Sequence, residues 1–199
     1  MPYFTLSQLA LVYKDRKSAA VVVSNKLRQK KIFNIRESIY ISDKKYNELV
    51  ISRKVHIFSE FCATNLIYTP SYLSTEYVLF INNIITENVY TTTLITTKKT
   101  ATFQNIFGKF LYQSIKKSFF GDYEIVKKDG WLVYQATPEK ALFDYLYLKK
   151  WVVFSESYIR ELRLNLGNID FKVFERIVKK YPSKKIKKIF ILLCAIRWS

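Results

Sequence analysis

The chain has 199 residues, 49% hydrophobic and 25% charged, which is enough apolar content to bury a core and excludes wholesale disorder. Its 33 Lys and Arg against 16 Asp and Glu leave a formal net charge of +17, a surplus that attracts polyanions: nucleic acid or an anionic membrane surface. The single histidine, His56, is all that a His-based metal site or a Ser-His or Cys-His catalyst has to draw on, and Gly108, Gly121, Gly130 and Gly167 are too scattered for a phosphate loop or dinucleotide fingerprint.

The surplus sits at the ends. Residues 1–60 carry 12 basic and 5 acidic side chains, residues 61–171 carry 12 and 10, and residues 172–199 carry 9 and 1. A Lys- and Ile-rich composition drifting with an AT-rich genome would spread the excess evenly, whereas two basic poles around a near-neutral middle predict two functional surfaces. Cys62 and Cys194 lack metal-ligand spacing and lie in apolar stretches, as reduced thiols of a cytoplasmic protein do. Met1-Pro2-Tyr3-Phe4 leads straight into a capped helix pattern with no secretory signal. The longest apolar run, Ile189 to Ile196, falls far short of the roughly 18–20 residues that span a bilayer, so neither a membrane partner nor a membrane location is expected.

In chain order, Thr5 and Gln8 have capping-box spacing, and Leu6, Leu9, Ala10 and Tyr13 make one apolar stripe, which predicts a helix over 5–13. After a polar turn, Ser18 is the expected N-cap of a second helix over about 19–30, with Ala20, Val23 and Leu27 facing the first helix. Val22, Asn25, Lys26 and Gln29 share another face. Ile32 to Ile35, a polar Arg36-Glu37-Ser38, and Ile39 to Ile41 read as a small hairpin. Helix, turn, helix, hairpin is the order of a winged helix-turn-helix, although ordinary α+β domains contain it too. Residues 43–66 read as a helical connector. Ser74 is an N-cap candidate. Strand-like segments follow at Val89 to Thr97, Thr102-Phe103, Lys109 to Ile115 and Trp131 to Gln135, and predict an antiparallel sheet. Thr137-Pro138-Glu139 opens a helix with Ala141, Leu142, Tyr145 and Leu148 on its buried stripe. The tail holds two helices, one striped by Phe171, Phe174, Val178 and Tyr181, the other by Ile186, Ile189, Phe190 and Leu193.

The fold class expected is therefore α+β: a winged helix-turn-helix over 1–42, a helical connector over 43–66, and a mixed α/antiparallel-β domain over 67–199 that ends in basic helices. If the second helix lies in the major groove, Asn25 and Gln29 offer amides to adenine, Lys26 reaches guanine or phosphate, and Val22 meets a thymine methyl. Ser18 and the helix N-terminus hold a phosphate, and Arg36 at the hairpin tip touches backbone or minor groove. For each of these residues a merely solvated helix face is the alternative. Lys179, Lys180, Lys184, Lys185, Lys187 and Lys188 mark a second basic surface for a partner. The last four crowd a helix start, where cations oppose the helix dipole.

Five short stretches resemble AbiEi-family antitoxins of abortive-infection type IV toxin–antitoxin systems. They are Pro70-Ser71-Tyr72-Leu73-Ser74 with Glu76; Glu87-Asn88-Val89-Tyr90-Thr91; Thr96-Thr97-Lys98-Lys99-Thr100; Phe107-Gly108-Lys109-Phe110; and Ala136-Thr137-Pro138-Glu139-Lys140-Ala141-Leu142. With the N-terminal module they cover most of residues 4–148. The chain departs from the family's pattern at Lys31, Ser38 and Asn83, which stand where the family carries glycines, and at Thr86, where it carries a nearby proline. The resemblance implies a non-enzymatic, cofactor-free protein that represses its own operon by binding promoter repeats and counteracts a nucleotidyltransferase-like toxin, with the C-terminal part tied to antitoxicity. Two other readings stand beside it: a metal-dependent nuclease or nucleotidyltransferase using Asp122, Glu124 and Glu139, and an RNA-binding adaptor using the basic tail.

Overall fold

The computed structural model describes residues 2–13, 15–149 and 155–197 and is a mixed α and β protein. Strand β1 (Tyr3–Thr5) leads into α1 (Leu6–Val12), whose N-cap Thr5 and Gln8 close the expected capping box. Helix α2 (Arg16–Arg28) begins three residues earlier than the sequence suggests. Asp15 is its N-cap, and Ser18 lies inside the first turn, donating its amide at 2.8 Å and its hydroxyl at 2.6 Å to the Asp15 carboxylate. A carboxylate is the stronger acceptor and captures the cap. The helix buries Ala19 and Val23, while Ala20 is exposed. Its end is a left-handed turn at Lys30 (φ 54°), where the Lys31 amide reaches back to the Lys26 carbonyl at 3.0 Å.

Strands β2 (Ile32–Arg36) and β3 (Ile39–Ser42) form the expected hairpin, and β1 adds a third strand the sequence did not reveal, giving the order β1-β3-β2. This sheet is covered on both faces. Phe4, Ile32 and Tyr40 join Val23 and the partly buried Leu6, Leu9 and Leu27 in a small core. Tyr3, Phe33, Ile35, Ile39 and Ile41 join the large core of the rest of the chain. The alternation follows from the two-residue period of a strand.

Residues 43–66 are helical in two pieces, α3 (Asp43–Ile51) and α4 (Val55–Cys62), continued by a π-helical turn over Ala63–Ile67. They do more than connect: Phe58, Cys62, Ala63 and Ile67 are buried in the large core. Next come β4 (Ser71–Leu73), α5 (Thr75–Ile81), β5 (Thr91–Thr96), β6 (Ala101–Asn105), β7 (Gly108–Ser114), β8 (Tyr123–Lys128) and β9 (Trp131–Ala136). The six-stranded sheet has the order β6-β7-β5-β4-β9-β8 and is mixed, not antiparallel. β5 runs parallel to β7, and β4 parallel to β9. Each turn reverses the chain, but β6 pairs outside β7 and leaves β5 and β7 side by side in the same direction.

Helix α6 (Pro138–Leu148) has Thr137 as N-cap and Pro138 in its first turn, as expected. It is buried on nearly all sides, with Lys140 and Asp144 fully enclosed. Helices α7 (Glu156–Glu161), α8 (Phe171–Lys180) and α9 (Lys184–Arg197) complete the chain. Phe174, Val178, Tyr181, Ile186, Ile189 and Leu193 form the buried stripes read from the sequence. No helix among the described residues is long and apolar enough to cross a membrane.

Candidate nucleic-acid interface

Helix α2 is the most solvent-facing long element of the N-terminal unit. Asn25, Lys26 and Gln29 are exposed, and none of their side chains has a partner among the described residues. Val22 is half-buried beside Val23, and the exposed valine is Val21, at 61%. Arg28, Lys30 and Lys31 extend the exposed basic surface past the helix end. Sequence reasoning missed Val21 and Arg28 because a three-residue stripe fixes a helix face only to within about one residue's rotation, 100°. Ser18 is exposed, but its amide and hydroxyl are committed to Asp15. Those bonds, the hydroxyl's first and the amide's second, hold the Asp15 carboxyl below its ordinary value. A carboxylate therefore guards the α2 N-terminus, which is unfavourable for a phosphate there.

Arg36 departs most from expectation. Between Asn34 and Arg36 two residues of β2 oppose one of β3, a β-bulge that inserts Ile35. One extra residue reverses which face the next side chain takes. The Arg36 guanidinium accordingly points into the molecule. It donates to the Ile67 carbonyl and lies 4.4 Å from the Phe103 ring centroid and 5.6 Å from that of Tyr68. Asn105 adds a bond from its side-chain amide to the Ile35 carbonyl at 2.8 Å. The hairpin tip is left to Glu37, whose side chain is 87% exposed, and to Ser38 in a left-handed conformation (φ 44°).

The second basic surface lies on α8 and α9. Lys172, Arg176, Lys179 and Lys180 form the outer face of α8, and Lys184, Lys187 and Lys188 that of α9. Lys179 pairs with Glu175 at 2.7 Å, and Lys180 pairs with Asp122. Lys185 turns inward, donating to the Tyr147 carbonyl at 3.0 Å and to that of Lys149. Burial holds its ammonium below the usual lysine range. Lys172, Arg176, Lys184, Lys187 and Lys188 have no ion-pair partner among the described residues.

Asp122, Glu124 and Glu139 do not converge on a metal. Asp122 is tied to Lys180, and the Glu139 carboxylate accepts from the Asp170 amide at 3.1 Å. Among the described residues no group of three or more His, Cys, Asp or Glu is placed to hold a metal ion. Cys62 is buried, which raises its thiol pKa far above the ordinary range.

Beneath this surface α6 carries a buried ionic network. Lys140 Nζ donates to the Asp144 carboxylate and to the Phe119 carbonyl at 3.0 Å, and the other Asp144 oxygen accepts from the Tyr72 hydroxyl at 2.9 Å and Ser74 Oγ at 2.8 Å. Burial pushes the Asp144 carboxyl up while Lys140, Ser74 and Tyr72 pull it down. Ser74 stands at the N-cap of α5 but spends its hydroxyl here instead of on the helix. The network joins two of the short stretches singled out in the sequence, and it holds the central sheet to α6. No protein-family model and no curated protein matches the chain, so its functional reading rests on this geometry and on the resemblance of the short stretches.

Proposed function

We propose that this protein is a sequence-specific DNA-binding regulator that reads duplex DNA with α2 in a winged helix-turn-helix arrangement. In this reading it serves as antitoxin and autorepressor of an abortive-infection operon and counteracts a nucleotidyltransferase-like toxin. The observation that carries the proposal is the Asn25, Lys26 and Gln29 face: polar and basic side chains of base-reading type, exposed and uncommitted, on a helix backed by α1 and a hairpin. Val21 replaces Val22 as the candidate for a thymine methyl. Two of the three positions matched to family glycines support the kinship: Ser38 and Asn83 have positive φ (44° and 55°), whereas at the third the left-handed residue is Lys30 (φ 54°), not Lys31. The uncompensated cations of α8 and α9 favour a polyanionic or acidic partner at the C-terminal pole, the part tied to antitoxicity in the family it resembles.

The test is fluorescence anisotropy with the duplex upstream of the protein's own gene and with a scrambled duplex, across a salt series. Asn25→Ala and Gln29→Ala are each expected to cost about 1–3 kcal/mol on the upstream duplex and little on the scrambled one. Equal losses on both would remove α2 as the reading element. Equal, steeply salt-sensitive binding of the unaltered chain to both duplexes would reduce the charge to a general attraction for polyanions.

A further inference from the structure

One face of the six-stranded sheet forms the floor of a cavity of about 680 Å³. Strands β5 and β7 pair in parallel, with Thr91 opposite Lys109 and Thr93 opposite Leu111, so these four side chains leave the sheet on one side. The first turn of α5 walls the cavity with Glu76, and the end of α6 with Tyr145 and Lys149. Glu87, between α5 and β5, and Glu161, at the end of α7, complete its charged lining. The volume falls within the range of small-molecule sites, about 300–1,000 Å³. No lining residue precedes Glu76, so the cavity lies wholly outside the N-terminal unit that carries α2.

Glu76 is the unusual group in this lining. Its Oε2 is the one side-chain nitrogen or oxygen among the described residues that is buried without a hydrogen-bond partner. The carboxylate also has no ion-pair partner among them. Its own helix does not use it, because the Tyr77 amide in the same turn donates to Thr93 Oγ1 at 3.0 Å. Lys149 is in the same cavity, but its ammonium lies 4.5 Å from the centroid of the Tyr145 ring, one helical turn back, and makes no ion pair with Glu76. An enclosed acceptor left unbonded costs free energy that only a donor recovers, and a charged donor recovers most. Glu87 and Glu161 are exposed and also have no ion-pair partner among the described residues. In a chain of net charge +17, the cavity thus sets three carboxylates against the two ammonium groups of Lys109 and Lys149.

We propose that this cavity is a binding site for a small organic cation, an amine or a guanidine, whose N–H groups donate to the Glu76 carboxylate. Glu87 and Glu161 favour its charge, and Leu111 offers apolar contact to its carbon chain. The site owes nothing to α2 and stands whether or not that helix reads DNA.

The experiment is isothermal titration of the full chain with agmatine, which carries a guanidinium at one end and an ammonium at the other. Saturable binding is expected, with none at the same concentrations for 1,4-butanediol, an uncharged chain, or for inorganic phosphate. Glu76→Gln is expected to weaken agmatine by roughly tenfold or more. Glu124→Gln removes an exposed carboxylate on β8, at the edge of the sheet remote from β7, and is expected to leave the affinity as it was. Far-UV circular dichroism checks that each variant is folded. Should Glu76→Gln fail to fold, the double variant Glu87→Gln and Glu161→Gln decides, since both residues are exposed: weaker agmatine binding supports the site, and unchanged affinity overturns it. No saturable binding of agmatine overturns the proposal. So does unchanged affinity in a folded Glu76→Gln, or an equal loss in Glu124→Gln, which would reduce the effect to net charge. Binding of phosphate in place of agmatine would assign the cavity to its lysines and overturn it as well.

Discussion

Helices α2 and α6 are 13 and 11 residues long, and both open on an oxygen-bearing cap, yet they meet the rest of the molecule in opposite ways. α2 buries only Ala19 and Val23 and leaves its cations in solvent. α6 buries seven residues, including Glu139, Lys140 and Asp144, and pairs its central charges internally. The difference teaches where charge is available to a partner. An enclosed Lys–Asp pair is spent on fixing one arrangement of sheet and helix. An exposed basic helix contributes little to the core and is free to bind.

The largest effect expected from breaking that contrast is at α6. Asp144→Ala strands the Lys140 ammonium in the core and removes the acceptor of the Tyr72 and Ser74 hydroxyls. Removing one partner of a buried pair costs about 3–5 kcal/mol. Urea unfolding should read this as a lower midpoint, and the double variant Lys140→Met with Asp144→Leu should lose less than Asp144→Ala alone. A loss no larger than that of a surface substitution would show that the network does not hold α6.

The next test sharpens the contrast at the hairpin that joins the two parts. Ile41 faces the large core and Ile32 the small one. Each truncation to alanine is expected to cost about 2–5 kcal/mol. Because the hairpin is covered on both faces, both variants should unfold in one transition by far-UV and aromatic signals alike. Two separate transitions for Ile32→Ala would mean that the N-terminal unit is energetically its own domain.

Smaller effects belong to α2. Lys30 closes the helix in the left-handed region, which costs a non-glycine residue roughly 1 kcal/mol. Lys30→Gly is expected to raise Tm modestly, with the cationic surface reduced by one charge. Asp15 gives the smallest effect, read as a pH dependence. Its carboxyl is held below the ordinary value by the Ser18 hydroxyl and amide. The cap is therefore fully present above the unfolded carboxylate range, and it is lost as the pH falls through the lower folded value. Hydrogen exchange of the first α2 amides should accelerate relative to the rest of the chain on acidification below about pH 4, and Asp15→Asn should flatten that response.

The sequence determined most of the local structure, because local structure depends on near neighbours. Capping chemistry at Thr5 and Thr137, the stripes of α8 and α9, the β-branched run of β5 and the aromatic-containing runs of β7 and β9 are all set by residues within a few positions of one another. It also placed Asn25, Lys26 and Gln29 on one outward face, since helical period alone fixes that grouping. Three things were decided only by tertiary structure. The parallel pairing of β5 with β7 depends on which side of β7 the strand β6 takes, and no turn residue encodes that choice. Lys140 and Asp144 read as the surface of an amphipathic helix until Tyr72, Ser74 and Phe119, distant in the chain, enclose them. Arg36 reads as a free hairpin tip until a one-residue bulge reverses its face and the Ile67 carbonyl receives it, a contact 31 residues away that no local pattern contains.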